Sequence, residues 1–183
     1  MNKSIRPLAL VSLALLGVTA LYASDITNSY EMPDASKIVE KDLIDGPTKF
    51  TMPKECKLDS AEAIERGKYL YHNLNSKSAK DPLPKGLDKP KKDEVKAYGN
   101  CVACHNIEGA VGGGTVGPPL VDYTKNMIET KARDAQFVYQ KIADPRIDNK
   151  ETSMTINLTS KMFNEQEVCD LTAYVLQVKT EKK

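Results

Sequence analysis

The chain has 183 residues, with 26 Lys and Arg against 25 Asp and Glu, 4 Cys, 2 His and no Trp. The length allows one domain plus appendages. A near-neutral balance offers no basic footprint for nucleic acid, so that class of partner is excluded.

The first stretch, "MNKSIRPLALVSLALLGVTALYA", puts a short basic head with Lys3 and Arg6 before an uncharged apolar run. Small residues follow at Ala20, Ala23 and Ser24, and polarity resumes at Asp25. This is the layout of a secretory signal peptide. The apolar run falls short of the about 20 residues that a bilayer span needs, so an uncleaved anchor is the alternative. Residues 1–23 are read as a leader, whose two basic residues account for the step from a formal charge of +1 to about −1 in the exported chain. Outside the cytoplasm thiols are oxidised or occupied, so Cys56, Cys101, Cys104 and Cys169 each need a fate.

Residues 24–58 contain Met32-Pro33, Gly46-Pro47 and Met52-Pro53 and have no steady period; they read as an extended arm. The main domain then fills 59–183. A helix is expected from near Asp59, with Asp59 as cap, Glu62 three residues on and Leu58 as staple. Ile64, Gly67, Tyr71 and Leu74 share its inward face, with Leu70 beside them. Residues 75–97 form a Lys/Pro-rich insertion, and Pro82, Pro84 and Pro90 make it a loop. A short helix is expected to carry "NCVACHN" at 100–106, followed by a glycine loop at 109–119 that Pro118-Pro119 closes. A third helix is expected from about Arg133 to Ala143, with Ala135, Val138 and Ile142 inward and Asp144-Pro145 as its stop. After a loose stretch to Lys161, Phe163 as staple, Asn164 as cap and Glu167 three residues further start the last helix. Val168, Leu171, Val175 and Val178 line its buried face. No run alternates as a strand and no segment repeats, so the expected fold is mostly α with long loops.

"CVACH" decides the chemistry. Structural zinc takes four ligands, commonly in two clusters. This chain has only His72 and His105, and its other cysteines stand alone. A redox dithiol expects a βαβ context, which is absent, and gives His105 no task. Covalent haem uses every residue. Cys101 and Cys104 can each add to one vinyl group, and His105 follows directly as the proximal iron ligand. One such motif means one haem c per chain. The sixth ligand is open among Met154, Met162, Met127, His72 and water, with Met32 and Met52 as further methionines. Met154 is favoured because it lies in the polar loop "NKETSMTINLTSK", where an apolar side chain needs a reason. Packing in a gap is the bland alternative. "GGGTVG" at 112–117 matches a dinucleotide fingerprint, but it follows no strand and ends in two prolines, so that site is rejected. Its glycines instead suit a backbone passing close to the haem, with the Pro118 carbonyl holding His105 Nδ1.

"ERGKYLYHN", "GNCVACH", "VGPPL" and "NEQEVCDLTAYVLQ" together resemble a class I cytochrome c. Over residues 98–178, "YGNCVACH", "GTVGPPLVD", "FVYQKIADPR", "TSM" and "FNEQEVCDLTAYV" resemble the SoxX family. SoxX proteins are the small monohaem subunits of SoxAX complexes in bacterial sulfur oxidation. The resemblance implies a periplasmic electron-transfer subunit that docks on a SoxA-like cytochrome and passes electrons to a downstream acceptor. The bond-forming haem, which joins thiosulfate to a carrier-protein cysteine in this L-cysteine S-thiosulfotransferase reaction, would be the partner's. It also maps the axial methionine onto Met154 and the carbonyl-donating proline onto Pro118; Thr155 stands where the family has a proline. The competing classes are a freely diffusing carrier and a ligand sensor with an open sixth position. In the class I fold the first and last helices cross near Gly67 and Tyr174. That crossing implies a Cys56–Cys169 disulfide, against a buried thiol at Cys169 or a bond from Cys56 to a partner. The seven lysines between 77 and 96 are either a solvated loop or a basic docking patch.

Overall fold

The computed structural model describes residues 45–177. The expected leader, most of the expected arm and Val178 lie outside the described residues. The described chain is helical, without a named strand; a single isolated bridge joins Asn75 and Ala97. Three α-helices carry the core: α1, Ala61–His72; α2, Ala135–Ala143; and α3, Glu165–Gln177. Among the described residues no helix is long and apolar enough to cross a membrane.

Helix α1 starts one residue later than expected. Ser60, not Asp59, is the cap: its backbone is extended and its Oγ accepts from the Ala63 N–H at 3.4 Å. The buried face is Ala63, Gly67, Tyr69, Leu70 and Tyr71. Leu74, expected inward, is 56% exposed. The helix has ended at Asn73, whose extended backbone breaks the 3.6-residue phase before Leu74 is reached. Helix α2 begins at Ala135, because Asp134 takes the Phe137 N–H at 2.7 Å and so caps it. Asp144 ends it, as the Asp-Pro pair required. Helix α3 opens on the expected reciprocal box. Asn164 N–H donates to Glu167 Oε2 at 3.0 Å, and Glu167 N–H donates to Asn164 Oδ1 at 2.9 Å.

Helices α1 and α3 cross against each other at a glycine. A Cβ on Gly67 would lie 2.0 Å from the Asp170 carbonyl oxygen and 2.8 Å from Tyr174 Cβ, so only glycine permits this approach. Beside the crossing, Arg66 makes two 2.7 Å bonds to the fully buried Asp170 carboxylate. Gln166 Nε2 adds a third at 3.0 Å, so the buried charge is fully partnered.

The described part of the arm does not dangle. Residues 48–52 run extended beside α2, whose Gln136 and Gln140 side-chain amides imitate a neighbouring strand. Gln140 accepts from the Phe50 N–H at 2.7 Å and donates to the Thr48 carbonyl at 3.1 Å. Gln136 accepts from the Met52 N–H at 2.8 Å and donates to the Phe50 carbonyl at 2.9 Å. The arm then reaches Cys56, which is joined to Cys169 of α3 in a disulfide with Cα atoms 5.3 Å apart.

Candidate functional site

The "CVACH" stretch folds as a 3-10 turn, Cys101–Ala103, a short helix where one was expected. Its entry is fixed from α1. Gly99 N–H donates to the Leu70 carbonyl at 3.0 Å and Asn100 N–H to the Asn73 carbonyl at 3.1 Å. Asn100 takes a left-handed conformation, φ 45°, which asparagine tolerates better than most residues. Two amides then close on one oxygen: Cys104 N–H at 3.1 Å and His105 N–H at 2.8 Å both donate to the Cys101 carbonyl. Both thiols and the imidazole are thereby carried by one turn.

The two thiols are unbonded to each other. Burial pushes the Cys101 thiol up to about 12. A redox dithiol needs the opposite, a thiolate stabilised near neutral pH. The pair that is oxidised is the other one, Cys56–Cys169.

His105 Nδ1 lies 2.8 Å from the Pro118 carbonyl oxygen. A carbonyl only accepts, so Nδ1 carries the proton and Nε2 keeps its lone pair. Among the described residues none is hydrogen-bonded to Nε2. The backbone of His105 is held as well: the hydroxyl of Tyr71, a residue 1% exposed, donates to its carbonyl at 3.0 Å. Tyr71 in turn packs edge-on against Tyr174, with ring centroids 5.3 Å apart. The sequence placed Tyr71 only in the core; the target of its hydroxyl lies 34 residues away and leaves no local signal.

The glycine loop is a strap laid on this turn. Gly114 N–H donates to the Val102 carbonyl at 2.8 Å and Gly117 N–H to the Cys104 carbonyl at 2.9 Å. A Cβ on Gly114 would sit 1.9 Å from the Ala103 carbonyl oxygen. One on Gly117 would sit 2.3 Å from His105 Cε1. The glycines are required because backbone passes against backbone and against the flat face of the imidazole.

The other candidate ligands lie elsewhere. His72 Nε2 is 2.8 Å from the Tyr174 hydroxyl, and its ring packs on Tyr71 and Tyr174 in the α1–α3 seam. Burial holds its pKa below the usual histidine value and so favours the neutral ring. Met162 is partly buried against the core, as is Met52 on the arm. Met127 is 38% exposed in the π-helical turn Thr124–Ile128. Met32 lies outside the described residues. Met154 is partly buried against the core in the loop after α2, and its N–H donates to Thr152 Oγ1 at 3.1 Å.

The loop carrying Met154 hangs from the end of α2. Asn157 and Leu158 each donate a backbone N–H to the Ala143 carbonyl at 3.0 Å, and Asn157 Nδ2 donates to the Ile142 carbonyl at 2.6 Å. These are the carbonyls a helix end leaves without internal partners. Thr159 Oγ1 donates to Asp144 Oδ2 at 3.0 Å.

The donor set fits a covalently held haem: two unpaired thiols on one turn, and an imidazole with its inner nitrogen fixed and its outer nitrogen unengaged. Among the described residues no group of three or more His, Cys, Asp and Glu gathers where a metal ion could be held, which leaves a zinc reading without ligands.

Residues 92–179 match the family model of cytochrome c. No curated protein matches the sequence. Over that stretch the chain is similar to cytochrome c, a family of haem-containing electron-transfer proteins, and the described residues are mostly α, as that likeness requires.

Proposed function

We propose that this chain is an exported monohaem c-type cytochrome, the SoxX-like electron-transfer subunit of a two-cytochrome complex. The observation that carries the haem reading is the single turn at 101–105. It presents both thiols, and the Pro118 carbonyl leaves His105 Nε2 as the free donor. Cys101 and Cys104 would hold the haem covalently, His105 would be the proximal ligand and Met154 the distal one. Bound there, the haem supplies one-electron chemistry. The protein's part is to fix the imidazole, to keep the surrounding side chains packed and to set how strongly each ligand donates.

Export is supported by the signal-like leader and by the Cys56–Cys169 disulfide, a bond that persists in oxidising compartments. The SoxX-like reading is supported by the order and spacing of "YGNCVACH", "GTVGPPLVD", "FVYQKIADPR" and "FNEQEVCDLTAYV". On this reading the partner is a SoxA-like cytochrome that holds the bond-forming haem, and this subunit removes electrons from it.

Acid-acetone extraction of the purified protein tests the haem. The haem stays with the polypeptide, and Cys101→Ala or Cys104→Ala abolishes or cripples its retention; free extraction from the unmutated protein sinks the reading. Purification from the native host tests the partner. A second haem polypeptide co-purifies in a one-to-one complex, whereas recovery of this chain alone makes it a freely diffusing carrier.

A further inference from the structure

The arm and the Met154 loop meet on one buried atom. Asp144 Oδ2 accepts from the Thr48 N–H of the arm at 3.1 Å and from the Thr159 hydroxyl of the loop at 3.0 Å. Arg146 Nη2 donates to the same oxygen at 2.7 Å and also to the Gly46 carbonyl of the arm at 3.2 Å. Asp144 Oδ1 takes the Arg146 N–H at 3.1 Å and Nε at 2.9 Å, so the carboxylate has no spare capacity for solvent. Its side chain is 0% exposed. Gln140 ties the same node to the arm from above, donating at 2.9 Å to the Asp144 carbonyl and at 3.1 Å to the Thr48 carbonyl.

We propose that the N-terminal arm is a support for the axial-ligand loop, and that Asp144 is the positioning residue through which it acts. The inference rests on Met154 being the distal ligand. A methionine in a loop stays on the iron only while the loop cannot swing away. This loop has three ties: the carbonyls of Ile142 and Ala143, the Thr159–Asp144 bond, and the chain's re-entry into α3, where Phe163 N–H donates to the Asn157 carbonyl at 3.2 Å. The second tie is only as rigid as Asp144, and Asp144 is clamped by the arm on one side and Arg146 on the other. Gln136 has a separate place in the arrangement. Its amide bonds only to the arm, at Met52 and Phe50, and to nothing in the loop. Loosening it therefore acts on the loop through the arm alone.

The test uses the ferric holoprotein and exogenous imidazole, which binds only when the methionine lets go. Thr159→Val raises the apparent imidazole affinity about tenfold, the scale of one lost hydrogen bond to a charged group, and Gln136→Leu, which removes two bonds to neutral backbone groups, raises it by about the same factor. Thr159→Ser, which keeps the hydroxyl, restores the unmutated affinity. Ser60→Ala, which removes the α1 cap far from the loop, lowers the unfolding midpoint and leaves imidazole affinity unchanged. Unmutated affinity in both Gln136→Leu and Thr159→Val overturns the arm's role, even where both unfold earlier. Met154→Ala separates the two claims. If it removes the weak red-end band of methionine-ligated ferric haem, the ligand assignment stands whatever the other variants show. If the band survives it, the ligand assignment and the support built on it both fall.

Discussion

At the scale of single residues, geometry and charge make two requirements sharp. Gly117 faces His105 so closely that an added methyl would overlap the ring at 2.3 Å. Gly117→Ala must therefore tilt the imidazole or push the strap off the turn, and either movement breaks the Nδ1–Pro118 bond. The expected outcome is a reduced yield of haem-loaded protein and a loss of about 1–3 kcal/mol in denaturant unfolding. Asp144 gives a pH signature. Burial by itself pushes its carboxyl up, but hydrogen bonds from Arg146, the Thr48 and Arg146 N–H groups and Thr159 outweigh it and hold the pKa down to about 2. An unfolded aspartate takes its proton near about pH 3.9. Above that value both states are ionised and the full stabilisation is present; as pH falls toward about 2 the unfolded state binds the proton first and the stabilisation drains away. Asp144→Asn should thus lower the melting temperature clearly at about pH 6 and much less at about pH 2. An equal loss at both values would show that the ionised carboxylate is not what the network uses.

At the scale of elements, the α1–α3 crossing and the staple across its end do the holding. Gly67→Ala sets a Cβ 2.0 Å from the Asp170 carbonyl oxygen, backbone that cannot swing aside. The helices must part, with the Arg66–Asp170 pair at their contact, and the expected cost is about 3 kcal/mol or more in urea unfolding. The disulfide closes a sequence separation of 113 residues. Chain entropy alone gives such a loop about 4–5 kcal/mol, so Cys56→Ser with Cys169→Ser should unfold at markedly lower urea without changing the haem spectrum. Reading the elements from sequence worked where the signal was local. The Asn164–Glu167 box spans four residues and was legible. The start of α1 was misplaced by one because Asp59 and Ser60 are adjacent and both can cap, and the choice rests on backbone angles no pattern reveals. The short helix expected at the motif is present as a single 3-10 turn. Two donors converging on the Cys101 carbonyl and tethers to Leu70 and Asn73 suffice to set it, so no longer helix forms. The glutamine clasp on the arm joins residues 84 to 92 positions apart, and nothing in either segment read alone announces it.

At the scale of the whole molecule the remaining question is how a partner is met, and the insertion at 75–97 bears on it. Its lysines do not form one uniform field. Lys77, Lys80, Lys85, Lys89, Lys91 and Lys92 are exposed, but Asp81, Asp88, Asp93 and Glu94 are exposed among them. Lys96 is committed elsewhere, paired with Glu167 of the α3 cap, a carboxylate only 5% exposed. The insertion is itself anchored, with Leu87 buried and Leu83 and Ala79 packed on the core, and with Tyr98 N–H returning to the Leu74 carbonyl at 2.9 Å. Six exposed lysines against four exposed acids leave a net charge of only about +2, spread over the whole loop. Such a surface keeps the loop solvated but steers an acidic partner weakly. Replacing Lys89, Lys91 and Lys92 together by Gln should therefore change the second-order rate of electron delivery less than about twofold at low salt, because the steering field is small before the change. Stopped-flow rates across a salt series measure this directly. A drop of about tenfold at low salt that vanishes at high salt would instead make this face the docking surface.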